Sequence, residues 1–232
     1  MPAPIDKHVR VNDSWLGFLE RPALGYLVAR LPAWASPDHL TALGLLGSVL
    51  SAASYALCHL DPAFLHLATL GFVVNWFGDS LDGTLARYRS IERPKFGFFI
   101  DHAVDAICVW LTFVGFGISP YFRLDVALFG VAVYLMLECL ACLRTCVSGQ
   151  FQITYTGVGP TELRAAICTL NLMLWLFGPG SPSWFGLTPA DMVMTLFVFS
   201  FYITYIVSFT QQVAELRNID RVAFPPRVRR RA

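Results

Sequence analysis

A helix crosses the hydrocarbon core of a bilayer when about 20 consecutive residues are largely apolar, and this chain contains six such stretches. They lie near Asp38–Leu60, Ala63–Arg87, Gly97–Ile118, Leu124–Val147, Thr161–Phe177 and Ala190–Val213. Hydrophobic residues make up 56% of the chain and charged residues only 14%, against about 25% charged in a soluble domain. The expected fold is therefore all-α: a polytopic membrane protein with six transmembrane helices in one domain over residues 1–232. The opening MPAPIDKHVRVNDSW has no apolar core followed by a small-residue cleavage site, so it does not read as a cleaved signal peptide. A formal net charge of +1 gives no case for a nucleic-acid partner.

Before the first stretch, residues 14–31 (SWLGFLERPALGYLVARL) are apolar on one side but interrupted by Glu20, Arg21, Pro22 and Arg30. That pattern suits an amphipathic helix lying in the membrane interface, or one packed against the bundle from the aqueous side. With six spans both termini share a side, and that side then holds every Lys and Arg except Arg123. Basic loops stay in the cytoplasm, so both termini are expected there. The basic run RVRRR near the C-terminus reads as an orientation signal that also attracts anionic membrane lipids.

Charges at membrane depth are costly and mark function. Four aspartates fall in the 75–106 segment, NWFGDSLDGTLARYRSIERPKFGFFIDHAVDA. Asp79 and Asp82 stand three apart and Asp101 and Asp105 four apart, so each pair projects from one helix face. Both pairs sit at the cytoplasmic ends of adjacent helices, and an antiparallel hairpin brings the four carboxylates together. Such carboxylates repel one another until a cation intervenes. An all-oxygen donor set favours a hard ion, Mg²⁺, Mn²⁺ or Ca²⁺, over zinc.

Small residues fit the same picture. Gly83 and Ala86 leave room against the backbone for a flat or bulky group, and Arg87 offers a planar donor suited to phosphate. Gly97 opens the next helix, where two helices and a ligand are expected to crowd together. Cys139, Cys142 and Cys146 share roughly one helix face, but no His or further Cys completes a soft-metal site, and the six cysteines read as packing residues. Glu138, near the cytoplasmic end of the fourth stretch, either snorkels or meets a polar cavity.

The run Asp79-x-x-Asp82-Gly83-x-x-Ala86-Arg87, then nine residues, then Gly97-x-x-x-Asp101-x-x-x-Asp105, closely resembles the signature of the CDP-alcohol phosphotransferase family. All eight defining positions are present across 27 residues, between two expected spans. The resemblance implies a CDP-linked donor, an alcohol acceptor, a bound divalent metal and CMP as leaving group. It implies Asp79, Asp82 and Asp101 as principal metal ligands, and Asp105 as base or second-metal ligand. Gly83, Ala86 and Arg87 would contact the nucleotide. Family members form dimers, which makes a homodimer an assembly to test.

Three further segments extend the likeness. Asp101-His102 looks like the choline/ethanolamine phosphotransferase branch, making His102 either a catalytic base or a residue satisfied by a structural hydrogen bond. Ser36-Pro37-Asp38-His39-Leu40-Thr41 is similar to the Pro-Asn-x-x-Thr that precedes the first span in many relatives, with Asp38 in place of Asn. Asp38 and Thr41 are accordingly nucleotide candidates, or simply part of a capped helix start. Thr161-Glu162 resembles the acidic element of aminoalcohol phosphotransferases, so Glu162 is a head-group candidate or a residue favouring a helix N-terminus.

These features tilt the reading toward transfer from a CDP-aminoalcohol to diacylglycerol or a related lipid alcohol. The alternative moves phosphatidyl from CDP-diacylglycerol to a polar alcohol, such as inositol phosphate, glycerol phosphate or serine. Arg89, Arg93 and Lys95 keep a phosphorylated acceptor in play. A transporter would spread its acids toward the midplane in two repeated halves, and an inactive scaffold would not need intact aspartates. Neither matches this sequence.

Overall fold

The computed structural model describes residues 9–11, 15–148, 150–152, 159–181 and 186–223. Among these are seven helices: α1 (Gly17–Val28), α2 (Pro37–Leu57), α3 (Phe64–Tyr88), α4 (Pro94–Ile118), α5 (Leu124–Ser148), α6 (Pro160–Phe177) and α7 (Pro189–Ala223). Two three-residue strands, β1 (Val9–Val11) and β2 (Gln150–Gln152), pair in parallel. The six expected spans coincide with α2 to α7. Four of these, α2, α4, α5 and α7, are long and apolar enough to cross a membrane. Helix α3 carries Asp79, Asp82 and Arg87 in its last third, and α6 carries Glu162 and Arg164 within 18 residues, which lowers their apolar character. The outward faces of α4 and α7 expose Phe99, Trp110, Leu196 and Phe199, a surface suited to lipid.

Helix starts follow the sequence closely. Ser36 accepts from the His39 N–H at 3.2 Å while Pro37 takes the first helical position of α2. Gly159-Pro160 opens α6, and Glu162 accepts from the Gly159 N–H at 2.9 Å. Helix α3 ends in a Schellman motif, with Ile91 N–H bonded to Ala86 O at 2.9 Å and Ser90 N–H to Arg87 O at 3.1 Å. Ser90 takes the left-handed position at φ 56°, and the reversed chain enters α4 at Pro94.

Helices α2 and α3 form the tightest pair because glycines remove the side chains between them. A Cβ on Gly47 would lie 2.5 Å from Asn75 N and 2.6 Å from Gly71 O. Gly78 meets the backbone of Leu40 and Gly44 as closely. Small residues at helix crossings permit this approach in membranes. Lower in the bundle, buried Tyr55 on α2 donates to Asn171 Oδ1 on α6 at 2.6 Å, and Asn171 donates to Thr69 Oγ1 on α3 at 3.1 Å.

The links between helices define two ends. At one end Thr41 meets Asp82, Arg164 meets Asp79, and Arg144 on α5 lies 4.0 Å from Glu215 on α7. At the other, His59 contacts Ile118 O, and Asp191 at the start of α7 accepts from the Arg123 N–H at 2.8 Å. Arg123 thus sits at the end opposite Arg87, Arg89, Arg93, Arg144 and Arg164, as the charge pattern expects. The RVRRR run lies outside the described residues. Helix α1 buries Val28 against Leu40, Leu81 and Leu85 while exposing Phe18, Leu19 and Tyr26. It packs on the bundle along one side and keeps an aromatic-rich face outward.

Candidate active site

The cluster is built from two turns of α3 and two turns of α4. Asp79 on α3 and Asp101 and Asp105 on α4 each offer a carboxylate oxygen, all within 4.8 Å of one another. Together with Asp82, Thr41 and Asn75 they line one small cleft. Three carboxylates at this spacing, with no soft donor among them, fit a hard divalent ion.

Asp82 reaches the cleft differently. Its Oδ2 accepts from Thr41 Oγ1 at 2.6 Å and its Oδ1 from its neighbour's backbone, Gly83 N–H, at 2.5 Å. Thr41 Oγ1 also lies 3.1 Å from Pro37 O in the first turn of α2. Asp38 is paired with Arg93, whose guanidinium also lies over the Phe96 ring at 4.3 Å. That pair joins the α2 and α4 entrances at the rim.

The other candidates have these partners. His102 bonds through Nδ1 to Phe98 O at 2.7 Å, within its own helix, and stacks on the Phe98 ring, outside the cleft lining. Both Glu162 oxygens receive backbone donors, from Leu16 at 2.7 Å and Gly159 at 2.9 Å, at the start of α6. Arg89 binds the carbonyls of Pro32 at 2.9 Å and Ala35 at 2.5 Å, fastening α3 to the loop after α1. Arg87 is exposed, donates to Thr84 Oγ1 at 3.2 Å, and lies over the space beside Gly83. Lys95 is exposed, and Ala86 is half-buried on α3. Nothing lies within 4 Å of a Cβ built on Gly97, so the helices do not crowd there as the sequence reading expected. Glu138 does not snorkel: its Oε2 is buried without a hydrogen-bond partner. All six cysteines are free thiols.

Two residues without a site role in the sequence reading complete the cluster. Arg164 on α6 donates through Nη2 to Asp79 Oδ2 at 2.6 Å and through Nε to Asn75 Oδ1 at 2.8 Å. Asn75 donates in turn to Gly44 O at 3.1 Å. An arginine four residues past Pro160 and an amide mid-way along an apolar stretch were the available signals, since each is costly in lipid unless paired.

Behind the cleft, a second cavity of about 200 Å³ extends between the helices. Phe72, Phe113, Leu170 and Met194 make it apolar, and Asp105 and Arg164 form part of its polar wall. Asp105 is the one member of the aspartate cluster that lines both spaces.

Residues 34–210 match the family described as CDP-alcohol phosphatidyltransferase. The chain is 34% identical over 142 residues to CDP-diacylglycerol--serine O-phosphatidyltransferase of Encephalitozoon cuniculi, covering 56% of this chain and 36% of that one. It is 32% identical over 171 residues to Cholinephosphotransferase 1 of Gallus gallus, covering 69% of this chain and 48% of that one. Cholinephosphotransferase 1 of Xenopus laevis is 30% identical over 168 residues, at 66% and 40% coverage. The match thus spans less than half the length of each of these relatives.

Proposed function

The chain belongs to the CDP-alcohol phosphatidyltransferase family, and from that premise we propose that it transfers a phosphate-linked group from a CDP-activated donor to an alcohol hydroxyl, releasing CMP. In the direction we favour, a CDP-aminoalcohol donates to diacylglycerol or a related lipid alcohol. The observation that carries this choice is Asp105, which lines both the aspartate cleft and the apolar cavity. When the nucleophile is a lipid alcohol, the proton acceptor must sit where the apolar body ends, as Asp105 does. When the lipid is instead attached to the donor, its body should adjoin the other carboxylates as well, and none of them lines the apolar cavity.

In this reading Asp79, Asp82 and Asp101 hold Mg²⁺ or Mn²⁺, with Asp105 beside them. Such an ion supplies charge neutralisation on the phosphate oxygens of an in-line displacement. Asp105 accepts the proton of the attacking hydroxyl. Thr41 keeps Asp82 turned into the cleft, and Arg164 holds Asp79 from the α6 side. Gly83, Ala86 and Arg87 lie along α3 beyond Asp82, where the nucleotide would rest. The six helices α2 to α7 all span the membrane, with the cluster end and both termini in the cytoplasm, because that end carries the basic residues.

A second reading rests on the serine phosphatidyltransferase likeness: donation from CDP-diacylglycerol to a polar alcohol, with Arg93 and Lys95 at the acceptor side. CMP release by purified protein in lipid nanodiscs with Mg²⁺, over a matrix of donors and acceptors, separates the two. Release only with CDP-aminoalcohol plus diacylglycerol upholds the favoured direction. Release only with CDP-diacylglycerol plus a polar alcohol reverses it.

A further inference from the structure

Helix α1 precedes the family-matched segment 34–210, yet it reaches into the cluster's supports. Its Glu20 accepts three hydrogen bonds on Oε1: from Trp76 Nε1 at 2.9 Å, Ser80 Oγ at 3.2 Å and Thr161 Oγ1 at 2.7 Å. Trp76 and Ser80 stand four apart on α3 and bracket Asp79. Thr161 lies three residues before Arg164 on α6. One carboxylate therefore fastens together the two helix segments whose side chains form the Asp79–Arg164 pair.

We propose that Glu20 is a positioning residue of the catalytic centre, setting the register of α3 against α6 so that Arg164 meets Asp79 and Asn75. Anchoring α1 does not require it. The apolar contacts of α1 lie at its other end, through Leu24, Leu27 and Val28, and a second tie runs from Leu16 N–H to Glu162. Three donors converge on one carboxylate oxygen, and hydrogen bonds to a carboxylate are roughly twice as strong as those between neutral groups. They come from two different helices, so what they fix is a distance between helices. Without them the first turn of α6 would keep its own cap at Gly159 but lose its side-chain bond to Glu20, and Arg164 would no longer be held at bonding distance from Asp79.

The proposal rests on reading Asp79, Asp101 and Asp105 as a metal centre, and its test separates the two ideas. Full-length protein in nanodiscs is titrated with Mn²⁺, free ion being followed by electron paramagnetic resonance, alongside thermal midpoint and CMP release. Outer-shell substitutions typically weaken metal binding or activity by about 10–100-fold. Glu20→Ala is expected to weaken Mn²⁺ binding about tenfold with the thermal midpoint little changed. Glu20→Gln, which keeps an acceptor oxygen, should recover most of that loss. Adding Glu20→Ala to Arg164→Gln should weaken Mn²⁺ binding no further than Arg164→Gln alone. Unaltered Mn²⁺ binding in Glu20→Ala, or a loss that only tracks the unfolded fraction, overturns the proposal. If the unsubstituted protein binds no Mn²⁺, the metal-centre reading falls and takes this proposal with it.

Discussion

The two ends of the helix bundle use aspartate in opposite ways. At the end bearing Arg123, Asp191 is 2% exposed and accepts from Arg123 N–H at 2.8 Å, Thr188 N–H at 3.1 Å and Thr188 Oγ1 at 3.0 Å. Two of its three donors come from Thr188 and the third from the link between α4 and α5, so the charge caps the start of α7 and ties it to that link. At the other end Asp79, Asp101 and Asp105, all half-buried, converge from two helices with oxygens within 4.8 Å, and Arg164 donates to Asp79. Carboxylates crowded in this way repel one another, a conflict that the metal ion proposed there would relieve. What sets the two arrangements apart is one carboxylate among donors at the first end and several carboxylates converging at the second. The turns differ too. The Arg123 end places glycine at its left-handed positions, Gly178, Gly180 and Gly186, whereas the turn between the two aspartate pairs uses Ser90.

The largest effect should come from exchanging one acid at each end. Asp101→Asn is expected to lower CMP release by about a thousandfold or more, since it removes charge where the phosphate displacement needs it. Its thermal midpoint should not fall, because a repelling charge leaves the cluster. Asp191→Ala should do the reverse. It orphans two backbone N–H groups and costs about 1–3 kcal/mol of stability, while turnover per folded molecule stays the same. Loss of turnover in both, or in neither, would erase the distinction between the ends.

Arg164 tests the same idea from the cation side. Arg164→Gln leaves Asp79 without its half-buried partner and should cost stability, by less than the roughly 3–5 kcal/mol of a fully buried pair. Added Mg²⁺ should then raise the thermal midpoint less than in the unsubstituted protein, because Asp79 is no longer held in place beside Asp101 and Asp105 and the ion binds more weakly. Equal shifts in the two proteins would show that Arg164 does not set the position of Asp79.

Much of this arrangement was legible in the sequence because the signals are local. Apolar length placed α2 to α7, Ser36-Pro37 and Gly159-Pro160 marked two helix starts, and the spacing of Asp79, Asp101 and Asp105 put them on facing sides of a hairpin. Hydropathy stops where polar helix begins, so α7 runs on from the expected end near Val213 to Ala223, through residues with high helix propensity such as Ala214, Glu215 and Leu216. The β1–β2 pairing joins segments outside any apolar run. Arg164 and Glu20 escaped for a different reason. Their partners lie 85 and 141 residues away, and no periodicity within one helix encodes a contact between helices. Thr41 stands in a family-like motif, yet its bond to Asp82, 41 residues away, is likewise a contact between helices.

The smallest expected effect concerns the turn between the aspartate pairs. Ser90 holds φ 56°, a conformation that costs an L-residue roughly 1–2 kcal/mol and glycine almost nothing. Ser90→Gly relieves that cost but gives the unfolded chain more freedom, so the net gain should be below about 1 kcal/mol. The Schellman bonds from Ser90 and Ile91 are backbone bonds and survive the exchange. Gly178→Ala at the other end has φ 71° and open space around its Cβ, so it should lose stability through backbone strain alone. If Ser90→Gly raises the thermal midpoint and leaves Mn²⁺ binding unchanged, the strain at the cluster end is incidental to its chemistry. If it weakens Mn²⁺ binding, the serine turn itself helps set the spacing of α3 and α4, and the difference between the two ends extends from their side chains to their backbones.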